Sequence, residues 1–166
     1  MYDASHHGLP NARSKAGGVF YAANFNDANI KTRNIFSALC QVIKTVCASA
    51  VESEYASAFM NGQHGYYLRN VFEALGHPQK PTHFYGDNNI TIGIVNDTVK
   101  VKRGKAINKD YHWFRDQIRL NNFVAIWIPT DENLADYFTK ALPRTKHCKF
   151  RPQLVHVPNS QHYKQD

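Results

Sequence analysis

Cysteine is scarce in this chain, and what there is forms no pattern. Cys40, Cys47 and Cys148 make no CxxC pair and leave one residue over. That argues against a disulfide framework and for a reducing compartment. His147, Cys148, His156 and His162 fit no compact zinc spacing. No hydrophobic run approaches a membrane span, and the N-terminus does not read as a signal peptide. An intracellular, cytoplasmic or nuclear, protein is expected, with no membrane partner. Internal repeats and low-complexity blocks are also missing. Acidic residues are in the minority: the net charge is +7 over 166 residues, with nine histidines besides. A basic chain of this size points to a polyanionic partner, most often nucleic acid, although it is also compatible with a merely soluble basic surface.

The chain is organised around Ser49 to Ala58. Strand patterns precede it and a long helical pattern follows. Ser49 followed by Glu52 is a capping box: the hydroxyl accepts from the Glu52 N–H, and the carboxylate reaches back to the Ser49 N–H. Glu52 thus has a local structural task. Glu54 lies roughly 200° around the helix axis from it and has none. Ala58, Gly62 and Gly65 continue its row, small enough for close packing on a sheet. Taken alone, both glutamates read more readily as solvated first-turn acids that favour the helix dipole.

Tyr2 to Ser5 reads as half a strand, followed by a loop from His6 to Ser14 with Gly8 and Pro10 as breakers. Strands are expected over Gly17–Phe25 and within Ile35–Val46, then a helix from about Ala50 to Leu75, ended by Gly76 and Pro78. Thr82–Tyr85 is a short strand. Asn88–Asn96 is a short helix with Ile90, Ile94 and Val95 inward. Asp97–Gly104 is a polar connection. Ile107, Tyr111, Phe114 and Ile118 form one stripe of a helix over Lys105–Asn121. Phe123–Ile128 is an unbroken apolar run, as for a strand covered on both faces. Asp131 is expected to cap a helix over Glu132–Ala141. The domain is expected to span residues 1–143. Residues 144–166 read as a basic, loosely ordered tail. The order β-β-β-α-β-α-α-β-α makes an α/β fold. Its mixed five-stranded sheet has three antiparallel strands, then parallel additions, with helices on both faces.

Four isolated acids fall at telling places in this layout. Asp3 is on the first strand, Glu54 near the start of the long helix, Asp87 at the end of the fourth strand and Asp136 in the last helix. Any one of them alone reads as a cap or turn residue. Together at the carboxyl ends of strands they cannot all ionise without cations between them. Hard oxygen donors suit Mg²⁺ or Mn²⁺, and two such ions are the usual device for phosphodiester cleavage. His6 and His7 read as an exposed loop pair. Lys102, Arg103, Lys105, Lys109 and Arg115 read as a phosphate-binding ridge or a solvated helix face.

Tyr2-Asp3-Ala4-Ser5, Ala16-Gly17-Gly18, Ser49 to Tyr55, Gly86-Asp87-Asn88, Lys102 to Ile107 and Asn133 to Lys140 occur in that order. The set closely resembles the ribonuclease H domain at the end of copia-type retrotransposon polyproteins, from Tyr2 to about Pro152. The resemblance implies a ribonuclease H fold and cleavage of the RNA strand of an RNA–DNA hybrid, leaving a 3′-hydroxyl and a 5′-phosphate. It implies two-ion metal ligation by Asp3, Glu54, Asp87 and Asp136, the choice of Glu54 over Glu52 resting on the capping argument. It also makes an adjoining reverse transcriptase domain a candidate partner and virus-like particles a candidate location. The chain departs from the pattern in two ways. The strand carrying Asp3 has only two residues before the aspartate. Phe123 to Asp136 lacks the histidine usual in cellular ribonucleases H. A catalytically inactive nucleic-acid-binding remnant is the alternative. An integrase-like strand transferase would need a late helix glutamate, which Asn133 to Asp136 does not offer.

Overall fold

The computed structural model describes residues 1–22, 35–99 and 108–155, with side chains in the last segment from residue 112. Strands β1 (Tyr2–Leu9), β2 (Arg13–Phe20) and β3 (Ser37–Val42) pair antiparallel in that order. Asp3 lies opposite Gly17, and Gly17 opposite Cys40. The first strand is longer than its sequence signals. The expected loop from His6 is strand as far as Leu9, and β2 begins at Arg13 rather than Gly17. The ladder register shifts between Ser5 and Leu9, where His7 has a φ of 52°. Such an irregularity breaks the period-2 pattern on which a sequence reading depends.

Helix α1 (Ala50–Ala74) covers one face of this sheet. Ser49 caps it, its hydroxyl accepting from the Glu52 N–H at 3.2 Å. The Glu52 carboxylate reaches back to the N–H of Ala48, one residue earlier than expected. Glu54, Ala58, Gly62 and Gly65 form the buried row. A Cβ on Gly62 would stand 2.7 Å from the Phe114 ring, and one on Gly65 2.8 Å from the Phe84 ring. Glycine therefore costs helix propensity here but admits aromatic rings against the helix backbone. Two polar residues fix the helix to the strands. The Ser57 hydroxyl donates to the Asp3 carbonyl at 2.6 Å, and the Asn61 amide donates to the Gly17 carbonyl at 3.1 Å.

Strands β4 (Thr82–Gly86) and β5 (Phe123–Trp127) pair in parallel. The five strands thus hydrogen bond as a three-stranded and a two-stranded ladder, which meet where Tyr2 packs against Gly86. Helices α2 (Asn89–Val95) and α3 (Asn108–Arg119) pack on the second ladder. Phe84, Phe114 and Phe123 form the centre of the main core, with Tyr2, Tyr55 and Ile92 around them. Two expectations fail here. Ile90 is exposed and Ile92 takes its inward place. Strand β5 is not covered along its whole length, since Val124 on one face is exposed and Trp127, at the end of the other, is 45% exposed.

The opposite face of the first ladder is covered by α4 (Asp136–Thr139) and α5 (Arg144–Leu154). The last helix expected over Glu132–Ala141 is instead a 3₁₀ turn, Thr130–Glu132, followed by the single turn of α4. Asp131 makes no side-chain cap. Residues 144–154, expected within a loose tail, form α5 and bury Phe150 and Leu154 against Val19 and Leu134. Residues 156–166 lie outside the described residues, as do the candidate residues Lys102, Arg103 and Lys105 and the Lys109 side chain. No helix among the described residues is long and apolar enough to cross a membrane.

Candidate metal centre

Asp3 is the second residue of β1 and is fully buried. One carboxylate oxygen, Oδ2, accepts from the Thr139 hydroxyl. The other, Oδ1, accepts from the Lys140 ammonium at 3.1 Å. Gly17, its cross-strand partner, allows this arrangement: a Cβ there would stand 2.5 Å from the Thr139 methyl. Asp87 follows the end of β4 and is half-buried. Its backbone carbonyl accepts from the Trp127 indole at 3.0 Å, while Asn88 beside it caps α2 by accepting from Ile90 and Thr91. Asp136 opens α4, and its own two oxygens accept from Lys140 at 2.8 Å and from Lys146 at 2.5 Å. Buried Asn133 ties that turn to the first strand by donating to the Tyr2 carbonyl at 2.9 Å.

Asp3, Asp87 and Asp136 each place a carboxylate oxygen within 4.8 Å of the others. Glu54 stands beside this trio. Its Oε1 accepts from the Ala4 N–H at 3.3 Å, while its Oε2 is buried with no hydrogen-bond partner. Burial, then the neighbouring charges of Asp3 and Asp87, push the Glu54 carboxyl up to about 9. Burial also raises Asp3 to about 7, against the pull of Lys140 and Thr139. Asp136 behaves differently. Burial would raise it, but hydrogen bonds and charge from Lys140 and Lys146 outweigh that and hold it below the usual carboxylate range.

The donor set fits a hard divalent cation. Carboxylate oxygens converge, and a buried glutamate oxygen lacks a partner that a cation would supply. Glu52, by contrast, remains at the helix cap.

Among the described residues, the other candidates make contacts of their own. His6 and His7 stack at 3.7 Å and bond to Ser53 and the Cys47 carbonyl, at the start of α1. Arg115 pairs with Asp97 and is mostly buried. The sequence reading missed Lys140 and Lys146 as partners of the acids. Lys140 had a signal, its spacing of four from Asp136; Lys146 had none, because it reaches back from a separate helix.

No protein-family model matches the chain. Among curated proteins it is 33% identical over 108 residues to the retrovirus-related Pol polyprotein from transposon TNT 1-94 of Nicotiana tabacum, which covers 64% of this chain. It is 29% identical over 120 residues, 70% of the chain, to that from transposon RE1 of Arabidopsis thaliana. The match spans 8% of the length of each polyprotein. Among solved structures it resembles LC11-RNase H1 in complex with RNA/DNA hybrid, with a TM-score of 0.60 and 15% identity over 83% of this chain and 90% of that one. The chain has a ribonuclease H-like fold, with homology over most of its length to the copia-type retrotransposon Pol polyproteins of TNT 1-94 and RE1.

Proposed function

We propose that this domain is an endoribonuclease that cuts the RNA strand of RNA–DNA hybrids, using two divalent ions, Mg²⁺ or Mn²⁺. The observation that carries this reading is the convergence of Asp3, Asp87 and Asp136 within 4.8 Å, on a ribonuclease H-like fold. Glu54, buried beside Asp3 with one oxygen unpartnered, is the proposed fourth ligand.

When bound, the ions supply an activated water and neutralise charge at the scissile phosphate. The protein's own contribution is placement. Ser57 and Asn61 lock α1 to the backbone of β1 and β2, which fixes Glu54 relative to Asp3. Asn133 fixes the start of α4, and so Asp136, to the same strand. Trp127 holds the backbone of Asp87. Chain segments distant in sequence are thereby held in register, which limits the motion of the carboxylates they carry.

Lys102, Arg103, Lys105 and Lys109 are the proposed phosphate-binding residues, with Arg115 a lesser one because of its pairing with Asp97. Recognition through backbone phosphates and 2′-hydroxyls would be independent of base sequence. The relatives are retrovirus-related Pol polyproteins, which supports an adjoining reverse transcriptase domain as the source of hybrid.

The alternative, an inactive nucleic-acid-binding remnant, draws on the Lys140 ammonium seated between Asp3 and Asp136. A labelled hybrid separates the two readings. RNA-strand cleavage that requires Mg²⁺ or Mn²⁺ supports the enzyme. Binding without cleavage supports the remnant.

A further inference from the structure

The two lysines at the acidic centre are held in different ways. Lys140 Nζ bridges Asp3 Oδ1 at 3.1 Å and Asp136 Oδ1 at 2.8 Å, and the residue is 42% exposed. It follows the last residue of α4 on extended backbone, so its stem is not part of a helix. Lys146 Nζ meets Asp136 Oδ2 at 2.5 Å and is 21% exposed. It belongs to α5, also donates to the Thr130 carbonyl at 3.4 Å, and lies 5.2 Å from the centre of the Phe150 ring. Phe150 is itself fully buried. Among the described residues, Lys146 is therefore also held by the Thr130 carbonyl and the Phe150 ring, and Lys140 by the acids alone.

The oxygens they occupy also differ in meaning. Asp3 Oδ2 is taken by Thr139 and Asp136 Oδ2 by Lys146. The remaining oxygens, one on each acid, are the pair that Lys140 bridges. A cation bridging Asp3 and Asp136 would compete with the Lys140 ammonium for those two oxygens. It would also repel an ammonium left within a few ångströms of it.

We propose that Lys140 is a resident counter-cation, which a divalent ion must displace to enter, while Lys146 stays on Asp136 as a positioning residue. This rests on the metal-site reading given above. Lys140 would keep the buried carboxylates compensated at low metal and would make the site's apparent metal affinity weaker than the acids alone would give. Once displaced, its half-exposed ammonium is free to swing towards solvent.

The test is calorimetric titration of Mn²⁺ into the wild-type domain, Lys140→Met and Lys146→Met. Loss of a charge-assisted hydrogen-bond competitor is worth a factor of ten or more, so Lys140→Met should bind Mn²⁺ at least about tenfold more tightly. Lys146→Met should bind no more tightly than wild type, since it loosens a ligand. Unchanged or weaker binding by folded Lys140→Met overturns the proposal. So does equal tightening in both variants, which would reflect only the loss of one positive charge. Wild-type protein that binds no Mn²⁺ would instead sink the metal-site reading, and this inference with it.

A second readout needs no destabilising variant. In ¹H–¹⁵N ammonium spectra of the wild-type domain, with signals assigned through Lys140→Arg, MgCl₂ should abolish the Lys140 signal and leave that of Lys146. Persistence of both at saturating Mg²⁺ overturns the exchange.

Discussion

Glu54 and Asp136 flank Asp3 from helices on opposite faces of the first sheet, and their carboxyl groups behave in opposite ways. On the α1 side Glu54 has, among the described residues, one backbone donor, no hydrogen-bonded cation and an unpartnered oxygen, and burial pushes its carboxyl up to about 9. On the α4 side Asp136 has a lysine on each oxygen and stays ionised below the usual range. One acidic centre thus has a flank compensated from within the fold and a flank that is not. The difference locates where a cation gains most. Desolvated carboxyls without a partner favour the neutral form, and a nearby positive charge or hydrogen bonds donated to the carboxylate reverse that preference.

The comparison is broken most severely by removing Asp87, the carboxylate of the trio that Lys140 and Lys146 do not bridge. Asp87→Asn should lower hybrid cleavage by more than about 100-fold, beyond the 10–100-fold typical of residues one shell away from a metal. Hybrid binding should be kept or strengthened, because an amide preserves shape and removes a repelling charge. Cleavage near the parental rate would show that Asp87 holds no metal.

The next effect separates the two glutamates. Glu54→Gln should cost turnover and metal affinity by at least the roughly 10–100-fold typical of groups that only orient a ligand, with little change in melting of the chelator-treated protein. Glu52→Gln should spare turnover and cost about 0.5–2 kcal/mol of stability, as for a lost cap. Turnover assays and thermal melts of both variants decide it, and the reverse order would put the catalytic glutamate at Glu52.

A smaller effect sharpens the contrast through pH. The Asp3 and Glu54 carboxyls are raised on folding, to about 7 and about 9. The stability they allow is fully present below their ordinary range near pH 4 and is lost as pH climbs through those values. Asp136 is lowered, so its contribution runs the other way and fails only as pH falls towards the acid range. With chelator present, melting at pH 8.5 should therefore lie below melting at pH 5.5. Mg²⁺ should restore more at the higher pH, since ligation displaces the bound protons. A chelated domain that melts higher at pH 8.5, or a Mg²⁺ effect independent of pH, would contradict the unequal flanks.

The smallest effect lies outside the centre. Replacing Lys102, Arg103 and Lys105 with alanine should reduce the salt slope of hybrid binding by about 0.7–0.9 for each phosphate left unneutralised, whatever the sequence. An unchanged slope would make them a solvated surface.

The acids were legible in the sequence because each sits where a regular element starts or ends. Asp87 follows a strand, and the capping box gave Glu52 a task that Glu54 lacked. What surrounds them was less legible, for local reasons. The extent of β1 was hidden by the irregular backbone at His7, which interrupts alternation. Strand β5 looked covered on both faces because its residues are all apolar, yet Val124 on one face and Trp127 at the end of the other are exposed. Helix α5 was obscured by its cations. Phe150 and Leu154 are spaced one turn apart, but Arg144, Lys146, Lys149 and Arg151 around them give the segment the composition of a tail. Lys146 could be placed on Asp136 only once that helix was packed.

The most direct test of the central claim, that these carboxylates form a cation-completed nuclease centre, is cleavage of a labelled RNA–DNA hybrid by the folded domain at pH 8. Mg²⁺ or Mn²⁺ should be titrated in, with Asp87→Asn run in parallel. The account predicts cutting confined to the RNA strand, absent in chelator, rising with metal and lost in the variant. Intact hybrid at saturating metal, or metal-independent cutting that survives Asp87→Asn, would contradict it.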